Sequence, residues 1–214
     1  MQNQRIINKE GIVLSVKKAG TGGRLLQVFT RDSGTLRLFV SHASIKRYGT
    51  GCLAPYALIS FTLRESSDLL VMTQYEGTLL LDMMALSYEE MSNWYFISEL
   101  VTAVFPPADG DIRAWKVLGR AAVTARVRNK SVCACMAAFQ LLVCAGFNPC
   151  EEEPQRQLHL SSEASHLLRQ FVLYSWGTDA PDHISRKAYE ELVQYMNAFI
   201  KQYCDLEMKI KFAA

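Results

Sequence analysis

Six lysine and arginine residues near the start of the chain have the type and spacing that binding to a phosphate backbone requires. They are Lys17, Lys18, Arg24, Arg37, Lys46 and Arg47. Phosphate contacts need cations that follow the backbone of the ligand, and single-strand binding adds aromatic rings for base stacking. Aromatic residues lie among these cations at Phe29, Phe39, Tyr48 and Tyr56, although Phe29 and Phe39 are also typical of a barrel core. The pattern predicts an electrostatic, sequence-tolerant site with modest stacking.

The charge of the chain is unevenly distributed. Residues 1–80 contain ten Lys and Arg against five Asp and Glu, although the net charge of all 214 residues is only +2. A basic first part on a nearly neutral protein favours a polyanionic partner. The alternative is that strands simply carry Lys and Arg on their solvated faces.

The elements that must position these cations are short strands. Residues 24–30 and 35–40 alternate at period two around Asp32-Ser33-Gly34, where glycine permits the positive φ of a hairpin turn. Residues 1–10 are expected to be a polar lead-in, and further strands are predicted at residues 12–17, 56–63 and 69–75. One helical turn is expected within residues 43–47, and residues 65–68 are expected to form a turn. Five short strands without a long crossover helix favour a small closed barrel such as the OB-fold.

At Ser87 the period changes from that of strands to that of helices. Ser87 and Glu90 form a capping box, and Pro106-Pro107 ends the helix that follows. A second helix, capped by Asp109 or Asp111, is predicted to reach about residue 127. Residues 131–145 are apolar nearly all round, so this third helix should be the buried centre of a bundle, ending at Gly146. Residues 148–162 are expected to be a loop, and two more helices are predicted at residues 162–174 and 185–204.

The predicted fold class is therefore α+β, with an N-terminal five-stranded OB-fold barrel followed by a C-terminal helical bundle. The predicted domains are residues 1–80, which would bind nucleic acid, and residues 81–214, which would bind partner proteins. The apolar runs are too short to span a membrane, and the first residues lack a signal-peptide core. We expect a cytoplasmic, nucleoid-associated protein with no membrane partner.

The sequence offers little support for catalysis. The four histidines have no metal-ligand spacing, and the glycine-rich residues 20–23 lead into a strand, whereas a phosphate-binding loop leads into a helix. None of the six cysteines forms a CxxC pair, so buried free thiols are expected. We predict no enzyme activity, no cofactor and no metal; a hydrolase that uses Cys52 or His42 is a remote alternative.

A second basic cluster lies in the predicted second helix and beyond it. It contains Arg113, Lys116, Arg120, Arg126, Arg128 and Lys130. Positions 113, 116 and 120 form one stripe on a helix, beside Trp115 and Leu118. Such a surface suits an acidic, hydrophobic peptide or additional nucleic acid. The alternative is an ordinary solvated helix face.

Several patterns, in the right order along the chain, resemble the bacterial RecO family of recombination mediators. Residues 24–37, RLLQVFTRDSGTLR, are similar to the family's RLL-x-x-FT-[RK]-x-x-G-x-L-[RK] core. Residues 10–14 look like its opening strand, and residues 53–56 together with Gln74 resemble its L-x-P-[FY] and TQ-x-E pair. Residues 206–212, LEMKIKF, resemble its closing E-x-K-S-x-[KR]-F.

The resemblance implies an OB-fold with a helical domain behind it. It also implies binding to ssDNA and dsDNA, annealing of complementary strands, and partnership with RecR. Further implied partners are the acidic, Phe-ended C-terminal tail of single-stranded-DNA-binding protein (SSB) and, indirectly, RecA. The cluster Arg113, Lys116, Arg120, Arg126 and Arg128 is the predicted site for the SSB tail, and the six cations of the barrel are the predicted DNA site.

Two departures from the family pattern have consequences. Many members carry a four-cysteine zinc module after a segment like residues 145–149, but here only Cys150 stands there, before three glutamates. The family's basic KGA-R-x-x-K segment is here residues 41–47, which retains Lys46 and Arg47. We therefore expect no zinc and a reduced affinity for DNA. The rival interpretations are an OB-like adaptor that binds only protein and an RNA-binding OB protein.

Overall fold

The computed structural model describes residues 6–66, 69–177 and 184–214. The chain divides into two compact units. The barrel unit contains residues 1–85 together with residues 105–115, and the helical unit contains residues 86–104 and 116–214. The chain therefore returns once to the barrel unit between two stretches of the helical unit.

The barrel unit is built on five strands, β1 (Ile6–Ala19), β2 (Gly23–Thr30), β3 (Gly34–Val40), β4 (Ala57–Ser66) and β5 (Leu69–Leu79). They close in the order β1-β2-β3-β5-β4, with β3 and β5 parallel and the other pairs antiparallel. A helix, α1 (His42–Tyr48), connects β3 to β4. The predicted OB-fold barrel is confirmed.

Strand β1 is longer than the sequence indicated. The prediction of a polar lead-in was wrong for residues 6–10, which belong to β1; residues 1–5 lie outside the described part of the chain. β1 pairs with β4 through residues 6–12 and with β2 through residues 11–19, so one strand closes the barrel on both sides. Its polar residues Asn8 and Glu10 are tolerated because only one face of the strand needs to be apolar.

Strands β4 and β5 also end later than the sequence predicted. β4 continues to Ser66, into the stretch predicted as a turn, and residues 67–68 of that turn lie outside the described residues. β5 runs on to Leu79 because it pairs with β4 along its whole length, as far as Ala57. Such extension by pairing is not visible in the period of one strand alone.

Side chains that alternate along the strands fill the barrel. Leu26 pairs with Leu38, and Val28 pairs with Leu36 and Val13; all five side chains are buried. These contacts form the hydrophobic core of the barrel together with residues of β4 and β5. Residues at the positions between them lie on the opposite face of the sheet.

The β2–β3 turn of the barrel unit is covered by residues 105–110. The backbone N–H of Thr35 donates to the carbonyl oxygen of Phe105 (3.1 Å), and that of Ala108 donates to Ser33 (3.0 Å). The ring of Phe105 packs on Phe29 with 5.3 Å between centroids. This segment is therefore an integral part of the barrel unit.

The helices after the barrel are α2 (Tyr88–Val104), α3 (Ile112–Thr124), α4 (Lys130–Cys144), α5 (Glu152–Gln157), α6 (Ser162–Leu173) and α7 (Arg186–Tyr203). The predicted capping box is confirmed, since Glu90 N–H donates to Ser87 Oγ and Ser87 N–H donates to Glu90 Oε2. α4 is buried from Cys133 to Leu142, as its apolar sequence predicted. Gly146 follows it with φ of 92°.

Two helix predictions were wrong. α3 ends at Thr124, earlier than predicted, and residues 125–127 form turns. The expected loop at residues 148–162 contains α5, with Glu152 and Glu153 in its first turn. Acidic residues are favourable at the start of a helix because the free N–H groups there attract negative charge. Proline is tolerated there because Pro154 lacks only a backbone N–H that would be unpaired.

No helix among the described residues is long and apolar enough to cross a membrane.

Candidate nucleic-acid interface

The strand register divides four of the predicted cations between two faces of the β1–β2–β3 sheet. Arg37 pairs with Gln27, and Lys17 pairs with Leu25. These positions alternate with the core residue Leu26, so Lys17 and Arg37 lie on the outer face, where both are exposed. They form a cationic pair two strands apart.

Lys18 and Arg24 face the other way, at the end of the same strands. They pair directly with each other, and Arg24 also pairs with Val40. Arg24 is half-buried and its Nη1 donates to the carbonyl oxygen of Gly23 (3.1 Å). Like charges directly opposite each other repel, so an anion placed between them would be stabilised. Arg24 and Arg37 therefore do not share a face.

The remaining two cations lie in the last turn of α1. Ser41 caps the start of this helix by accepting a hydrogen bond from Ser44 N–H, and Gly49 follows its end with φ of 80°. Lys46 and Arg47 are both exposed. Cations at a helix C-terminus also stabilise the helix by offsetting its partial negative charge, so their position has a structural reason as well.

Arg47 is packed on an aromatic ring. Its guanidinium carbon lies 5.3 Å from the centroid of the Tyr48 ring, and Tyr48 in turn packs on Tyr75 at 5.5 Å. The hydroxyl of Tyr75 donates to the carbonyl oxygen of Gly49 (2.6 Å). Burial raises the pKa of Tyr75 to about 12, so this hydroxyl stays protonated and the bond persists.

Arg47 and Tyr48 border a groove of about 810 Å³. Its other walls come from β1, β4 and β5 and carry Asn8, Ser60, Thr62, Gln74 and Glu76. Thr62 Oγ1 donates to Asn8 Oδ1 (2.9 Å). Amides, hydroxyls and an arginine are the groups that hydrogen-bond to nucleobase edges and phosphates. The sequence did not indicate this groove, although its residues alternate with core positions at period two.

The aromatic residues near the cations are mostly part of the interior. Phe29 and Tyr56 are 0% exposed, so neither ring can stack on a base. Phe39 and Tyr48 are half-buried. Phe29 is buried as predicted, but it lies on the outer face of the sheet against Phe105 and not inside the barrel. The structure favours charge over stacking in this region.

The second basic cluster is not one continuous helical stripe. Arg113 lies in the barrel unit and its side chain donates to Asp111 (2.9 Å), whereas Lys116 and Arg120 are exposed on the part of α3 that belongs to the helical unit. Arg126 and Arg128 follow the end of α3. Two exposed apolar residues, Val123 at 47% and Val127 at 85%, lie among the cations of the helical unit. This part of the helical unit therefore combines positive charge with exposed apolar side chains.

Asp111, and not Asp109, caps α3. Its Oδ1 accepts from the N–H groups of Arg113 and Ala114. Burial acts to raise the pKa of Asp111, but the hydrogen bonds from the Arg113 side chain and these two N–H groups outweigh it, so the pKa is lowered.

Of the six cysteines, Cys133, Cys135 and Cys204 are buried, as expected, whereas Cys52, Cys144 and Cys150 are half-buried. Burial raises the pKa of Cys52 and Cys150, and raises that of Cys133 to about 11 and that of Cys204 to about 12. A thiol with a raised pKa is a poor nucleophile at neutral pH. Among the described residues, no three His, Cys, Asp or Glu side chains are grouped in a way that could hold a metal ion.

The closed barrel with a helix between its third and fourth strands defines an OB-fold, an architecture that occurs in many proteins that bind oligonucleotides or oligosaccharides. Residues 1–79 match the family model described as the N-terminal domain of recombination protein O. The barrel unit is therefore similar, over its strands β1 to β5, to the N-terminal domain of this recombination protein. No curated protein matches the chain.

Proposed function

We propose that the protein binds ssDNA and dsDNA through the cations of its barrel and anneals complementary strands. The observation that carries this proposal is the combination of the family match over residues 1–79 with six cations on one closed barrel. Five of these, Lys17, Lys18, Arg37, Lys46 and Arg47, are exposed. They contact phosphates and so bind without regard to sequence.

Annealing follows from charge neutralisation. Two DNA strands repel each other through their phosphates, and cations that contact both strands lower that repulsion. Lys17 and Arg37 on the outer face of the β1–β2–β3 sheet, and Lys18 and Arg24 at the shared end of β1 and β2, are the cations of the sheet that supply this effect. Base pairing then supplies the sequence match.

The partner proteins are proposed on the family resemblance. With RecR, the protein helps load RecA onto DNA coated by SSB, and the acidic tail of SSB binds the cluster of Arg113, Lys116, Arg120, Arg126 and Arg128. Charge complementarity and the exposed Val123 and Val127 support this assignment. The nucleoid is the expected location.

The test is fluorescence anisotropy of a labelled mixed-sequence ssDNA, titrated with protein across a salt series. For single strands the slope of log affinity against log salt is about −0.7 for each phosphate neutralised. The double variant Lys46→Glu/Arg47→Glu should lose most binding and reduce the magnitude of the slope by about 1.4 if two phosphates are released. No binding of the wild-type protein even at low salt contradicts the proposal and favours the adaptor interpretation.

A matched control is available on the same barrel. Arg31 and Arg64 are also exposed but are not part of the proposed site. The variant Arg31→Glu/Arg64→Glu changes the net charge by the same amount. It should keep the wild-type salt slope; if it loses binding equally, overall charge and not the proposed site governs affinity. A second titration, with RNA of the same sequence, shows whether the protein prefers DNA or binds DNA and RNA equally.

A further inference from the structure

The helical unit holds residues 206–213, here called the strap, in a groove between α2 and α7. The strap has no regular secondary structure. The main chain of the strap forms hydrogen bonds with side chains of the two helices, and one aromatic ring of the strap is buried. This is the way in which proteins bind extended peptides.

Two asparagines hold consecutive residues of the strap. Asn197 Oδ1 accepts from Phe212 N–H (3.1 Å), and Asn197 Nδ2 donates to the Phe212 carbonyl oxygen (3.1 Å). Asn93 does the same with Ala213, accepting at 2.8 Å and donating at 3.0 Å. Each amide therefore pairs with both polar groups of one peptide residue.

A carboxylate holds the strap two residues earlier. Glu99 accepts from the N–H of Lys209 at Oε1 (2.9 Å) and from that of Ile210 at Oε2 (3.1 Å). The six hydrogen bonds from Glu99, Asn93 and Asn197 all go to main-chain atoms. They would form with any extended segment, whatever its side chains.

The most buried side chain of the strap is that of Phe212, which is the main source of selectivity. Phe212 is 3% exposed and its ring meets Phe96 edge-on, with 5.4 Å between centroids. Lys209 and Lys211 are exposed, although Lys211 borders the cavity beside the strap, and Leu206, Met208 and Ile210 are half-buried. Beside the strap a cavity of about 270 Å³ remains, lined by Phe96, Ile200, Leu206 and Met208 among others. The strap therefore does not fill its groove.

The strap covers polar groups of the two helices. Asn93 is only 1% exposed with the strap in place, and its oxygen accepts a hydrogen bond from the N–H of Ala213. A peptide that replaced the strap would have to offer the same main-chain groups, because each hydrogen bond that it failed to form would lower its affinity by about 0.5–1.5 kcal/mol.

We propose that the groove between α2 and α7 is a peptide-binding site that the strap occupies in cis. Its ligand in trans is an extended peptide with a phenylalanine followed by a small residue, from a partner protein. The strap competes with this ligand at an effective concentration on the order of millimolar, as short tethers do. The site is independent of the proposed DNA site.

The probe for this site is a fluorescein-labelled peptide with the sequence of residues 205–214, used with the full chain. Phe212→Ala removes the anchor of the strap, so this variant should bind the peptide about tenfold or more tightly than the wild type, whose groove is occupied. Adding Asn197→Ala to this variant should abolish binding. The control Lys211→Ala, which changes an exposed side chain, should behave as the wild type does.

A peptide in which alanine replaces phenylalanine should not bind any variant. If Phe212→Ala keeps the far-ultraviolet circular dichroism of the wild type and does not bind the labelled peptide, the proposal is overturned. It is equally overturned if binding survives the loss of Asn197 or of the phenylalanine in the peptide.

A second experiment covers the case in which Phe212→Ala does not fold. A protease site is inserted between Asp205 and Leu206 of the otherwise wild-type chain, and the folded protein is cleaved. We expect the strap to stay bound during gel filtration and to exchange with an excess of labelled peptide. Loss of the strap without uptake of the peptide would overturn the proposal.

Discussion

Gly34 and Pro106 are in direct contact, although they are 72 positions apart in the sequence. A Cβ atom on Gly34 would overlap the carbonyl oxygen of Pro106, and Gly34 has φ of 64°. The hairpin turn of the barrel and residues 105–110 can approach this closely only because position 34 has no side chain.

Substitution of Gly34 tests this contact. Gly34→Ala should destabilise the protein by about 2 kcal/mol or more, because a positive φ costs about 1–2 kcal/mol for alanine and the overlap with backbone atoms adds to it. Urea denaturation measures the change. Gly20→Ala is the matched control: Gly20 has φ of 53° but no atom within 4 Å of the added Cβ. The control should lose only the stability that the positive φ of alanine costs. Equal losses of stability in the two variants would contradict the contact.

The cap of α3 makes a prediction about pH. Asp111→Ala should cost about 1 kcal/mol at pH 7, because the N–H groups of Arg113 and Ala114 lose their acceptor. Because the pKa of Asp111 is lowered by folding, its charge stabilises the folded state above the unfolded pKa of about 3.9, and this contribution is lost as the pH falls through the folded pKa.

The difference in stability between wild type and Asp111→Ala should therefore be largest near neutral pH and shrink below about pH 4. Urea denaturation at pH 7 and pH 3 measures it. Asp109→Ala is the control, since Asp109 is exposed and was the other candidate for the cap. A larger loss for Asp109→Ala would contradict the assignment.

Gln140 joins three polar groups inside the helical unit. Its Nε2 donates to the carbonyl oxygens of Phe171 and Tyr174 (both 2.9 Å), and its Oε1 accepts from Trp176 Nε1 (2.7 Å). Gln140→Leu should cost about 2–4 kcal/mol because these groups lose their partner in a buried place. Thermal unfolding followed by tryptophan fluorescence measures it. Gln170→Leu, at an exposed position of α6, should change the stability by less than about 0.5 kcal/mol.

The four cations of the β1–β2–β3 sheet give a prediction that separates its two faces. Lys17→Ala/Arg37→Ala and Lys18→Ala/Arg24→Ala should each reduce the salt slope for ssDNA by about 1.4, if each pair contacts two phosphates. Anisotropy titrations measure both variants beside Arg31→Ala/Arg64→Ala. A change confined to one pair would assign the DNA to that face, and no change in either would remove these four residues from the site.

The thiols should be unreactive in the folded protein. Cys133, Cys135 and Cys204 are buried, and burial raises the pKa of each. Labelling with a disulfide reagent at pH 7.5 (about one unit below the pKa of a free thiol), followed by mass spectrometry, should modify these three only after denaturation. Cys52→Ser should leave DNA binding unchanged. A loss of DNA binding in this variant would instead indicate that the Cys52 thiol has a role.

The sequence by itself determined the elements whose signals are local. The alternation around Asp32-Ser33-Gly34 gave the β2–β3 hairpin, the Ser87–Glu90 box began α2, and the apolar residues 131–145 gave the buried helix α4. These signals are local because a turn, a cap and a hydrophobic period depend only on neighbouring residues. The basic first part of the chain was visible as well, since charge needs no fold to be counted.

Only the tertiary structure decided which residues face each other. The register of β1 against β2, with its irregularity between Val13 and Ser15, placed Lys17 opposite Leu25 and Lys18 opposite Arg24. A shift of one residue reverses every side chain of a strand, and the pairing that sets it comes from distant parts of the chain. Three other features have the same origin. They are the polar groove beside Arg47, the packing of residues 105–110 on the β2–β3 turn, and the hydrogen bonds of Asn93, Glu99 and Asn197 to the strap. Each joins residues far apart in sequence, whose contacts exist only once the backbone has closed.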